Sequence, residues 1–119
     1  MTKQKQREKM TDRKLLELAA KAAGLSISWD CGRARVDGAG FTGHVPNYYY
    51  WNPLEDDGAV LRLAVKLNMT IRCYGGNTCA QTTTPGGPSA YVDEMNIADP
   101  GAATRRAIVR VAAEIGGAA

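Results

Sequence analysis

Three cysteines, one histidine and an acidic triplet are the residues of this 119-residue chain whose types could do chemistry. Cys73 and Cys79 stand with five residues between them in "CYGGNTC", and Cys31 and His44 complete a Cys₃His count. Zinc knuckles use shorter spacings, so free, partly buried thiols are the expected state of all three cysteines. A Cys73–Cys79 bridge would require an oxidising compartment. Glu55, Asp56 and Asp57 are consecutive. Adjacent side chains at a helix start point in different directions, so the triplet reads as capping rather than as a cation site. "GRARVDGAG" does not match a phosphate-cradling loop, and "DGAGFTG" lacks the strand–turn–helix context of a dinucleotide fingerprint. No nucleophile elbow of the G-x-S-x-G type is present. These residues predict a protein that is not an enzyme and that uses no cofactor and no metal.

Binding is the chemistry that remains. Tyr48, Tyr49, Tyr50 and Trp51 run consecutively in "NYYYWNPLEDDG". On a strand, Tyr48 and Tyr50 would face one way, and Tyr49 and Trp51 the other. Tyrosine offers a large rigid face with a polar tip, which suits a binding surface. Trp51 is expected beneath the helix that follows, with Pro53 fixing the chain's approach. Asp56 and Asp57 could mimic phosphate toward a basic channel on a partner. Arg105, Arg106 and Arg110 could add cations, and Arg106 and Arg110 with the aromatics could hold a base and a phosphate. The candidate binding residues are therefore Tyr48, Tyr49, Tyr50, Asp56, Asp57, Arg105, Arg106 and Arg110.

These residues need elements to position them. Thr11 is a good N-cap, Leu15, Leu16, Leu18, Ala19, Ala22 and Ala23 recur at helical spacing, and Gly24 suits the closing position, so residues 12 to 23 are predicted helical. "LSISWD" alternates and predicts a strand near 26 to 30, with a second near 33 to 36 before a long Gly-rich loop. Val60, Leu61, Leu63, Ala64 and Leu67 predict a second helix over 57 to 67, with Asn68 closing it. "MTIRCY", "TCAQTTT" and "AYVDEM" are three strand candidates, separated by the "GGN" turn and the "PGGP" breaker. Asp99-Pro100 opens a last helix that Gly116-Gly117 is expected to end. The fold class is thus α+β: three helices packed on a small, mostly antiparallel sheet in the order α-β-(loop)-α-β-β-β-α.

Charge locates one more feature. Lys3, Lys5, Arg7 and Lys9 against Glu8 carry the whole formal charge of +3, leaving the rest neutral. Residues 1 to 10 are expected to form a flexible basic tail and residues 11 to 116 a single domain. Such a tail can bind phosphate backbones by counterion release. Met10 is also a natural start, and translation from it would remove the arm, so nucleic acid ranks last among the partners. No run is long enough to span a bilayer, which takes about 20 apolar residues.

The stretch "YYYWNPLEDDGAVLRLAVKLNMTI", together with "DPGAATRRAIVRVAAEIG", resembles the NinX-like family of small proteins of tailed phages and prophages. The resemblance covers about residues 11 to 116 and is strongest over "WNPLEDDGAVLRLAVKL". It carries no catalytic residues over. It implies a phage accessory protein made in the host cytoplasm. Such a protein would bind and inhibit a host protein, such as a defence effector of the CRISPR–Cas kind, or sequester a small nucleotide. The exposed faces of the two late helices leave a homodimer open.

Overall fold

The computed structural model describes residues 10–37, 48–83, 89–95 and 98–118. The elements are α1 (Asp12–Ala23), β1 (Ile27–Asp30), β2 (Arg33–Asp37), β3 (Tyr48–Tyr50), α2 (Asp57–Lys66), β4 (Met69–Cys73), β5 (Asn77–Thr83), β6 (Ser89–Met95) and α3 (Pro100–Ala118). The class is α+β, as expected. The order differs from α-β-(loop)-α-β-β-β-α by two strands before α2: Arg33–Asp37 is a separate strand, and the tyrosine run is itself a strand. The strands also form two three-stranded sheets rather than one, β1-β2-β3 and β4-β5-β6, and every pairing is antiparallel.

Local signals set the helix ends. The Thr11 hydroxyl accepts from Lys14 N at 3.1 Å. Gly24, at φ +76°, turns the chain so that Leu25 N donates to Ala20 O at 2.8 Å, which closes α1 in the left-handed manner that glycine permits. The Asp99 carboxylate accepts from Ala102 N at 3.0 Å and caps α3. Asn68, at φ +56°, follows α2. The β1–β2 hairpin turns on Cys31 and Gly32, both at positive φ (+52° and +79°), as the tight two-residue hairpin turn requires.

The expected end of α3 at Gly116-Gly117 is corrected: both glycines lie inside the helix. Composition reads them as breakers, but packing explains Gly116. A Cβ there would lie 1.9 Å from Leu18 O and 3.3 Å from Ala22 N. α3 packs against α1 along this line, and the facing Ala19, Ala20, Ala23, Ala112 and Ala113 are all buried. Small residues let the two backbones approach. α3 also covers β5 and β6, and touches α2 and β4 more lightly. One hydrophobic cluster joins both halves, from Leu15 and Val36 through Trp51 and Leu63 to Val92 and Ile108.

No helix among the described residues is long and apolar enough to cross a membrane. The basic tail, His44 and the "PGGP" breaker lie outside the described residues.

Candidate functional site

The first sheet builds an arginine–tyrosine face. β2 reads Arg33-Ala34-Arg35-Val36-Asp37, and Ala34 and Val36 turn inward and are buried. The period of two then sends Arg33, Arg35 and Asp37 to the opposite face. Arg35 pairs in register with Tyr50 and Asp37 with Tyr48, so both tyrosines join that outer face. The Arg33 guanidinium sits 3.8 Å from the Tyr50 ring centre, and that of Arg35 5.0 Å from Tyr48. The two rings meet edge to face at 5.8 Å. Cations over aromatic faces attract through the ring quadrupole, so the four side chains hold one another upright without a core around them. Tyr48, Tyr49 and Tyr50 remain 36%, 37% and 39% exposed.

Two carboxylates brace this face. Tyr50 donates its hydroxyl to Asp30 Oδ2 at 2.8 Å. That bond holds the Asp30 carboxyl below its ordinary range, and Arg35 and Arg33 add to the effect. The same bond pushes the Tyr50 phenol up. Arg35 Nε lies 3.1 Å from Asp37 Oδ1 but off the N–H direction, making an ion pair rather than a hydrogen bond.

Tyr49 points the other way. It lines a cavity of about 190 Å³ together with Trp51, Leu25, Leu63, Arg62 and Lys66. Trp51 is buried, and its backbone N–H donates to Ala34 O at 2.9 Å, tying the end of β3 to β2. Pro53 is also buried, so Trp51 and Pro53 anchor the start of α2 as the sequence leads one to expect.

The remaining candidates hold the fold together. Asp56 caps α2, accepting from Gly58 N at 3.3 Å. Arg105 Nη1 reaches Asp57 Oδ1 at 2.8 Å, and its Nε donates to Leu54 O at 2.9 Å, which ties α3 to the start of α2. Arg106 Nη2 bonds Asp12 Oδ1 at 2.7 Å, joining α3 to α1. Arg110 bonds the Glu94 carboxylate of β6. The cations that stack on Tyr48 and Tyr50 are thus Arg33 and Arg35. Sequence reasoning passed over both, although the alternation in "RARVD" marks them.

Two cysteines are separated by register. Arg72 pairs with Cys79, and Cys73 with Thr78, so Cys73 and Cys79 project from opposite faces of the second sheet. All three cysteines are free. Tyr91 donates to Cys79 Sγ at 3.1 Å on the outer face, while Cys73 Sγ lies 3.9 Å from the Thr104 hydroxyl on the α3 side. Among the described residues no group of three His, Cys, Asp or Glu is placed to hold a metal. An open cleft of about 520 Å³ lies between the starts of α2 and α3, lined by Asp57, Cys73, Tyr74, Pro100 and Thr104.

Comparison of the chain with protein-family models, with curated proteins and with solved structures returned no match.

Proposed function

We propose that this is a non-enzymatic phage or prophage accessory protein that acts by binding and inhibiting a host protein, a defence effector such as a CRISPR–Cas complex being the kind of target in view. The observation that carries the binding reading is the exposed arginine–tyrosine face of the first sheet. Its four large side chains are pre-ordered by their own stacking, and tyrosine and arginine are the residue types enriched in interface hot spots. Ordering them in advance removes much of the entropy that an interface must otherwise give up. The phage context rests on the resemblance of "WNPLEDDGAVLRLAVKL" to NinX-like proteins.

The alternative, a pocket for a small nucleotide, needs Arg106 and Arg110 beside the aromatics. Both pair instead with Asp12 and Glu94, so the protein-partner reading is preferred.

The test is a quantitative capture from host lysate by residues 10–119, comparing the unmodified chain with Tyr48→Ala/Tyr50→Ala. Loss of a two-residue hot spot should weaken capture of one dominant host protein by roughly 30-fold, which corresponds to about 2 kcal/mol. Unchanged capture by a folded double variant would sink the proposal.

A further inference from the structure

We infer that the cavity behind β3 is a second recognition site. It takes an acidic, apolar-anchored segment of a partner protein: one aromatic or large aliphatic side chain flanked by carboxylates. This inference rests on the reading that the partner is a protein, and it names that partner's chemistry.

The first argument is charge. The described arginines divide sharply. Arg13, Arg35, Arg105, Arg106 and Arg110 pair with carboxylates, and Arg33 lies on the Tyr50 ring. Arg62 and Arg72 have neither an acid nor a ring among the described residues, and Lys66 has no acid there. Arg62 and Lys66 stand one turn apart on α2 and both line the cavity. Like charges at that spacing destabilise a helix by a small amount, and an anion bound between them would reverse the sign.

The second argument is shape. Leu25, Trp51 and Leu63 give the cavity an apolar floor, and the Tyr49 ring closes one side. About 190 Å³ falls below the range of drug-sized ligand pockets, but it accommodates a single large side chain. The solvent side of α2 also carries apolar residues. Leu61 and Val65, again one turn apart on α2, are 62% and 67% exposed. A pocket for one anchor, beside two cations with no acid partner among the described residues, matches an apolar-anchored acidic segment.

The third argument is position. β3 is an edge strand of its sheet among the described residues. Tyr48 and Tyr50 occupy one of its faces and Tyr49 the other. A partner that wraps this edge engages the stacked face and the cavity together.

The experiment is an NMR titration of the isotope-labelled full chain with acetyl-Asp-Glu-Phe-Glu-Asp-amide. The controls are acetyl-Asn-Gln-Phe-Gln-Asn-amide and acetyl-Asp-Glu-Ala-Glu-Asp-amide. The expected result at millimolar peptide is movement of the Trp51 indole N–H and the Lys66 amide. The acidic Phe peptide should bind about tenfold more tightly than either control, a discrimination that salt reduces. Arg62→Glu/Lys66→Glu should abolish it, and Arg62→Gln/Lys66→Gln serves if the charge reversal unfolds the chain. Absence of movement at Trp51, equal binding of the neutral peptide, or full affinity in the Gln variant would each overturn the inference. Failure of the underlying reading looks different. If the unmodified chain captures no host protein, the protein-partner reading falls, whatever the titration shows. If capture survives the Arg62/Lys66 variants but not Tyr48→Ala/Tyr50→Ala, the reading stands and the cavity inference is overturned.

Discussion

The two sheets share a topology and differ in what their faces do. Both are three-stranded and antiparallel. The second lies under α3, and its central strand turns Thr78, Ala80 and Thr82 into that contact, all buried. The first contributes Ala34 and Val36 to the core and displays Arg33, Arg35, Tyr48 and Tyr50 outward. Sheet architecture alone therefore does not predict function here. The inner face of the second sheet is a wall, held by burial, while the outer face of the first is a display, held by stacking between its own side chains. Burial is unforgiving of charge, whereas a stacked exposed face tolerates exchange.

That contrast can be broken most forcefully with one pair of matched substitutions. Val92 is 3% exposed on the inner face of the second sheet, and Val92→Asp should cost more than about 4 kcal/mol and abolish cooperative unfolding by circular dichroism. Tyr48→Lys, on the display face, should keep stability within about 1 kcal/mol, because the new ammonium faces Asp37 directly across the strand pair. Equal damage from both would show that the first sheet is also a wall. Gly116→Ala ranks next. The added Cβ has no room against Leu18 O, so α1 and α3 must separate, at about 3 kcal/mol by denaturant titration. A neutral result would mean that the two helices are less tightly apposed than this.

A smaller effect has the opposite sign. Thr82 is 2% exposed, and its hydroxyl has no hydrogen-bond partner among the described residues. By contrast Thr78 Oγ1 lies 3.1 Å from the Thr104 hydroxyl, which donates in turn to Pro100 O at 2.8 Å. Thr82→Val removes an unsatisfied group at nearly constant shape and should stabilise by about 1 kcal/mol, raising the midpoint of thermal unfolding. Thr78→Val should do the reverse, since it removes the hydrogen bond that Thr78 donates to the Thr104 hydroxyl oxygen while Thr104 keeps its own bond to Pro100 O. If both substitutions stabilise, the Thr78–Thr104 contact contributes nothing.

Legibility in the sequence followed the range of the interaction that decides each feature. α1 runs over residues 12 to 23, as read, because Thr11, the apolar stripe and Gly24 all act within one or two turns. The start of α3 is equally local, set by Asp99 and Pro100. β3 went unread because three residues make a strand only through pairing with β2 across a long connection. The division into two sheets is nonlocal for the same reason. Gly116 misled because local propensity favours a stop there, while packing against Leu18 demands the missing Cβ. At the site, the tyrosines were legible as displayed aromatics. The ion pairs of the α3 arginines were not legible, because their acids, Asp57, Asp12 and Glu94, are 48, 94 and 16 residues away in the chain.

The finest test concerns the brace beneath the display face. The hydrogen bond from Tyr50 to Asp30 lowers the folded pKa of Asp30 from its ordinary 3.8 and raises that of Tyr50 from its ordinary 10.0. For the carboxyl, the stabilisation is complete above the unfolded value and is lost as pH falls through the depressed folded value. For the phenol, it is complete below the unfolded value and is lost as pH rises through the raised one. The brace therefore holds across the whole neutral range and opens only at the two extremes. Asp30→Asn keeps an acceptor but removes the charge, so the Tyr50 phenol should titrate closer to its ordinary value, read from its ring carbon resonance by NMR. Arg33, no longer drawn toward Asp30, keeps its seat on the Tyr50 ring by quadrupole attraction alone. The Tyr48–Tyr50 face should then survive with partner capture little changed. A phenol titration that ignores Asp30→Asn would show that the ring is held by its stacked cation and not by its hydroxyl, and would make Arg33 the residue that orders the face.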